Sequence, residues 1–253
     1  MHIEDIAAWC TIAYDYSSLQ LGNPMFCYNP LENGAQLVLN GEPMRELVLP
    51  AEVTQISDIA FYSCTTLQNV TFEGTVSIGE SAFRSCGALA EVIFRAGAES
   101  IGADAFRESG LEQIAIPASE LGSGAFMFCR SLTDVSVAEG IEKLPGSLFS
   151  GCSVLIGAEL PESLVKLGNQ VFQNCSSLQT IVLPAALSEM GTNVFDGCSS
   201  LAGVTFLQAE GWSYKTYGSD EAWTPVDLSV PADNAAYLSA TYASKVWARN
   251  VSQ

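Results

Sequence analysis

The chain holds a single histidine, His2, at its start. A Ser-His-Asp triad or a Cys-His pair in the interior therefore lacks its base. Basic residues are scarce as well: 10 Lys and Arg stand against 28 Asp and Glu, for a formal net charge of −18. Nucleic acid and anionic membrane are poor partners for such a surface, because phosphate contacts need clustered Lys and Arg. The charge serves solubility first, through self-repulsion, and otherwise favours basic partners or divalent cations. No run approaches the ~18 consecutive apolar residues of a membrane span. Glycine-rich phosphate loops and EF-hand spacing are missing, and Gly122-Ser123-Gly124-Ala125 lacks the third glycine of a dinucleotide loop. Acidic pairs are so common here that one pair is no sign of carboxylate catalysis. The residues predict no enzymatic activity, no cofactor and no metal site.

What is present is a repeat. Six times a phenylalanine is followed by cysteine three residues on and leucine three after that: Phe61/Cys64/Leu67, Phe83/Cys86/Leu89, Phe126/Cys129/Leu132, Phe149/Cys152/Leu155, Phe172/Cys175/Leu178 and Phe195/Cys198/Leu201. A degenerate copy sits at Phe106, with Ser109 in the cysteine slot and Leu111 one residue early. Successive phenylalanines are 22, 23, 20, 23, 23 and 23 residues apart. A fixed period of about 20–29 residues marks a solenoid of the leucine-rich kind. No unit can bury its apolar edge alone, so neighbours must stack.

Within a unit, Thr180-Ile181-Val182-Leu183 alternates at strand period. The same inward slots hold Val70/Phe72, Val92/Phe94, Ile114/Ile116, Val135/Val137 and Val204/Phe206. Pro50, Pro117, Pro161 and Pro184 close strands, because proline cannot extend a ladder. Five residues before each phenylalanine stands an apolar residue, usually followed by glycine (Gly79, Gly102, Gly122, Gly168, Gly191), which predicts a corner with an unusual backbone angle. The segment around each Phe is too short for a long helix, and one helical or 3₁₀ turn is expected there.

The cysteine spacing of about 23 residues does not suit zinc, which wants closely paired ligands. Coils about 4.8 Å apart would allow disulfides, yet the slot accepts Ser109 as a buried filler would. The expectation is a ladder of free, buried thiols. Cys10 and Cys27 lie outside it and are the one candidate for an isolated pair.

The pattern Cys-x-x-Leu-x-x-Ile-x-Leu-Pro, then Leu-x-x-Ile-Gly-x-x-Ala-Phe-x-x-Cys, with Ser81-Ala82-Phe83-Arg84-Ser85-Cys86 and Asp104-Ala105-Phe106 as examples, resembles the BspA-like bacterial leucine-rich repeats over residues 37–206. The departures are the short copy between Phe106 and Phe126, and Glu73, Arg95 and Ala138 where proline is common; they predict a local kink or bulge. The resemblance implies a surface-attached protein linked to adhesion.

The expected fold is an α/β solenoid: a curved parallel sheet with short helical turns on the convex side. Residues 1–36 would cap one end, with Ile6/Trp9/Cys10 on one face of a short helix. Asn40-Gly41 signals a hairpin leading into the first repeat. Residues 207–253 would cap the other end, with 232–249 helical and Leu238, Tyr242 and Val246 on one face.

The expected function is a non-catalytic, monomeric module at the cell surface or outside the cell, binding a protein such as a host matrix component. Its face would be the outward strand positions Asn69, Thr71, Glu91, Ile93, Gln113, Asp134, Ser136, Glu159, Thr180, Val182 and Thr205. One rival is a rigid spacer that presents another domain. Another is a carbohydrate-binding module using Trp212, Tyr214, Tyr217 and Trp223 as an aromatic platform. Met1-His2-Ile3-Glu4-Asp5 lacks the features of a signal peptide, so the residues leave two alternatives open: a cytoplasmic protein, or an extracellular one whose leader has been removed.

Overall fold

The computed structural model describes residues 2–3, 5–12, 31, 36–39, 41–117 and 120–250. Cys27 lies outside them, whereas Cys10 carries a free, buried thiol. The chain forms two compact units. One holds residues 1–112 and 117–126, the other residues 113–116 and 127–253. Each is a stack of coils whose strands form a front ladder and a side ladder.

In the N-terminal unit the front ladder is parallel and in register: Glu46–Leu49, Asn69–Phe72 and Glu91–Phe94. The side ladder runs Gln55–Ile56, Val76–Ile78, Ala98–Ile101 and Glu120–Leu121. Ahead of them, His2–Ile3 pairs with Val38–Leu39, which forms a hairpin with Glu42–Pro43 around Gly41 at φ 90°. The helix Ile6–Cys10 begins at Asp5, whose carboxylate accepts from Ala7 N and Ala8 N. It docks on the first coil: Trp9 Nε1 donates to Ala60 O at 3.0 Å, and Ser57 N donates to Cys10 O at 2.8 Å.

In the C-terminal unit the front ladder comprises Gln113–Ile116, Asp134–Val137 and Gly157–Glu159, then Thr180–Leu183 and Gly203–Phe206. The side ladder of Lys143–Leu144, Lys166–Leu167 and Glu189–Met190 is continued by antiparallel strands Lys245–Arg249, Trp212–Thr216 and Thr224–Pro225. The helix expected over 232–249 is therefore only half present. Pro231–Ala236 is α-helical and Tyr237–Thr241 forms one π turn, but Lys245–Arg249 is a strand. An open edge at Glu189–Met190 offered backbone partners that outweighed the four-residue spacing of Leu238, Tyr242 and Val246.

The phenylalanines form the core. Phe61, Phe83, Phe106 and Phe126 stack in the first unit with centroids 5.0, 5.2 and 5.5 Å apart. Phe149, Phe172 and Phe195 stack in the second, at 5.5 Å each. Interplanar angles of at most 19° at this separation mean offset stacking, the favoured arrangement of parallel rings. All seven rings and the ladder cysteines Cys64, Cys86, Cys129, Cys152, Cys175 and Cys198 are buried. The inward residues of the front ladders are buried too, apart from the half-buried Phe94 and Ala158.

No helix forms around these rings, and the reason is in the hydrogen bonds. Alternate N–H groups turn outward to the next coil: Ser81 N, Phe83 N and Ser85 N donate to Ala103 O, Ala105 O and Arg107 O. The groups between them close local turns, as Arg84 N to Ser81 O and Cys86 N to Phe83 O. The chain achieves this with left-handed residues two before and two after the ring, such as Ser81 and Ser85 (φ 53° and 59°) or Gln170 and Asn174 (φ 61° and 60°). A helix would keep all those donors to itself.

The corner glycines also have another cause than the one predicted. Gly79, Gly102, Gly122 and Gly168 do not adopt positive φ. A Cβ on Gly102 would instead lie 2.7 Å from Glu80 N of the preceding coil, and on Gly122 only 2.2 Å from Ala103 N. These positions are glycine because backbone meets backbone. The bulge falls at Glu99, where the register slips between Val76–Ile78 and Ala98–Ile101. At Glu73, Arg95 and Ala138 the strand ladder simply extends, each N–H donating to Leu49 O, Phe72 O and Ile116 O at 3.0 Å.

Candidate interaction face

Strand alternation turns every second residue of the front ladder outward. Because the strands are in register, those residues form rows across the coils. In the N-terminal unit one row is Glu46, Asn69, Glu91 and the next is Val48, Thr71, Ile93. Glu46, Glu91 and Val48 are exposed; Asn69, Thr71 and Ile93 are half-buried. Glu46 and Val48 were missed in the sequence because Leu47-Val48-Leu49 reads as a lead-in. The signal was there: Glu46-Leu47-Val48-Leu49-Pro50 has the alternation and closing proline of Thr180-Ile181-Val182-Leu183-Pro184.

In the C-terminal unit the rows are Gln113, Asp134, Gly157 and Ala115, Ser136, Glu159, followed by the pairs Thr180/Gly203 and Val182/Thr205. Gln113, Asp134, Glu159 and Thr180 are exposed, Ser136 and Thr205 half-buried, and Val182 is 51% exposed. A feature unread in the sequence ends this ladder. Asn234, fully buried, donates from Nδ2 to Val204 O and Leu228 O, both at 2.9 Å. Its helix thereby occupies the last strand's edge.

The four residues of the aromatic platform do not form one surface. Trp212 is 1% exposed, packs on Phe206 at 5.3 Å and donates from Nε1 to Gln208 O. Tyr214 stacks on Tyr242 at 4.5 Å and meets Trp247 at 5.3 Å. Trp223 lies under Lys215 Nζ at 5.0 Å. Lys215 neighbours Tyr214 in the same strand, so the two rings belong to opposite faces. Only Tyr217, 71% exposed, is open to solvent as a platform requires.

The ladder thiols are held protonated by burial: it pushes Cys86 and Cys152 well above the ordinary thiol value and Cys198 up to about 12. Cys10 also stands at about 12, mainly through burial and secondly through the Asp5 charge. Such thiols are poor nucleophiles. Among the described residues no three His, Cys, Asp or Glu side chains gather as metal ligands, and no helix is long and apolar enough to cross a membrane.

Comparison with other proteins agrees with this architecture. Among solved structures, the Treponema pallidum leucine-rich repeat protein is 27% identical, with a TM-score of 0.54 over 62% of this chain and 78% of that one. A leucine-rich cell surface protein from Faecalibacterium prausnitzii is 24% identical, with a TM-score of 0.61 over 76% of this chain and 55% of its own. The chain thus spans only about half the length of the latter. No curated protein matches it. The family model described as the BspA type leucine rich repeat region matches residues 40–120 and 119–214 in six copies. With its parallel ladders, phenylalanine stacks and this match over most of its length, the chain belongs to the BspA-type leucine-rich repeat proteins.

Proposed function

We propose that the chain is a non-catalytic protein-interaction or adhesion module that works as a monomer at the cell surface or outside the cell. Its contact surface is the outward rows of the front ladders. The observation that carries this reading is the register: solvent-facing side chains from different coils are held in fixed rows by a backbone that cannot shift without breaking its ladder. The Faecalibacterium prausnitzii relative is a cell surface protein, which supports the location. In this reading the N-terminal helix and hairpin, and the C-terminal strands with Asn234, cap the coils.

A spacer role is favoured by one observation. The rows hold no Trp, Tyr or Arg, the residues that dominate binding hot spots. The discriminating experiment is a binding screen of the purified chain against matrix proteins, mucins and glycans at low and physiological salt. A saturable hit that survives salt and is lost on charge reversal at Glu91, Asp134 and Glu159 supports the module. Silence across the panel favours the spacer.

A further inference from the structure

Resting on the interaction reading above, the geometry points to one kind of occupant for the face of the N-terminal unit. We propose that this face takes a basic amphipathic helix of a protein partner, laid across the coils. Its two rows differ in chemistry. The first presents a carboxylate, an amide and a carboxylate from Glu46, Asn69 and Glu91. The second presents Val48, Thr71 and Ile93, three stiff β-branched side chains that make a flat strip, apolar at Val48 and Ile93 and carrying one hydroxyl between them. Val48 is 59% exposed on that strip. Arg95, at the margin of the face, is taken up by Glu73 at 3.1 Å.

The spacing selects the partner's secondary structure. Glu46 and Glu91 are two coils apart, a separation of about 9.6 Å at the usual distance between strands. An extended segment crossing the coils repeats its same-face side chains every ~6.8 Å and falls out of step. A helix returns to the same face every seventh residue, ~10.5 Å along its axis, within the reach of flexible cationic side chains. Lys or Arg at such positions meets both carboxylates while the neighbouring apolar stripe lies on Val48, Thr71 and Ile93. Charge selects the sign: with 28 acidic residues against 10 basic, the chain attracts cationic partners and repels anionic ones.

The probe is a fluorescein-labelled synthetic helix of three heptads with a leucine stripe and one flanking lysine per heptad. Its binding to the full chain is read by anisotropy at physiological salt, ~0.15 M. The expected result is saturable binding that weakens about tenfold in Glu46→Gln/Glu91→Gln. The same neutralisation at Glu142 and Glu210, exposed carboxylates of the other unit, should change it less than about twofold. Val48→Ser should weaken it severalfold. A second peptide with each lysine moved two positions round the helix tests the unmodified chain and should bind like the Glu46/Glu91 variant. Equal effects of the two glutamate pairs, equal binding of the two peptides, or no saturable binding would each overturn the proposal. A partner captured in the wider screen through another surface would leave the module reading standing when this footprint fails.

Discussion

The thiol of Cys86 donates to the carbonyl oxygen of Phe61, one coil away, at 3.0 Å. The relationship recurs in the other unit, from Cys175 Sγ to Phe149 O at 3.2 Å and from Cys198 Sγ to Phe172 O at 3.0 Å. The ladder cysteines are therefore donors as well as fillers. A serine in the same slot, as at Ser109, keeps a donor while shortening the side chain.

These thiols should make stability fall in alkali. Burial raises the pKa values of Cys64, Cys86, Cys152, Cys175 and Cys198 above the ordinary thiol range. The native state keeps protons that the unfolded chain releases, so stability is whole below about pH 8.5 and declines as pH rises toward the folded values. The loss is at most ~1.4 kcal/mol per pH unit for each thiol. Urea melts at neutral and alkaline pH measure it, and Cys198→Ala should flatten the slope by one thiol's share. A slope unchanged by that substitution would remove the thiols as its cause.

Native thiols should also resist alkylation. A thiol reagent without reductant is expected to modify few cysteines in the folded chain and at least six in denaturant, one for each ladder position. Recovery of two or fewer in denaturant would mean that the ladder is oxidised.

Truncating a stacked ring opens a cavity against both neighbours. Phe83→Ala, whose ring lies 5.0 Å from Phe61 and 5.2 Å from Phe106, should cost about 3–5 kcal/mol in chemical denaturation.

Gly102→Ala forces a Cβ to within 2.7 Å of Glu80 N and is expected to destabilise by more than about 1 kcal/mol. Gly87→Ala, with nothing within 4 Å, should be neutral or stabilise by up to ~1 kcal/mol. Equal thermal shifts for the two would refute the close-approach account.

Asn234→Leu strands two buried carbonyls, Val204 O and Leu228 O. A loss of about 1–3 kcal/mol is expected, with hydrogen exchange speeding first at Gly203–Phe206. Protection unaltered in that strand would separate the helix from the last coil's stability.

Most of the repeat was legible because each of its signals is local. Phe, Cys and Leu recur at fixed spacing, and Ile181/Leu183 alternate visibly with Thr180/Val182. The left-handed turns were not legible because Ile59, Ser81, Asp104, Gln170 and Asn193 occupy one position with no shared side-chain chemistry. The reason for Gly102 lies in a backbone more than twenty residues away, which its own segment does not display. Lys245–Arg249 likewise takes its identity from Glu189–Met190 and Trp212–Thr216, partners beyond any local window. The outward rows were read apart from Glu46 and Val48, while the supposed aromatic platform failed on burial at Trp212 and on alternation between Tyr214 and Trp223.

The alternation of N–H groups around each ring also governs what a broken molecule would do. Cut after the coil of Phe149, and Ser147, Phe149 and Gly151 lose the acceptors Asn169 O, Val171 O and Gln173 O together. Every proteolytic scar between coils is thus a fresh templating edge, complementary to the scar on the other fragment. Clipped chains should recombine or clump, and they should do so most readily with pieces of themselves.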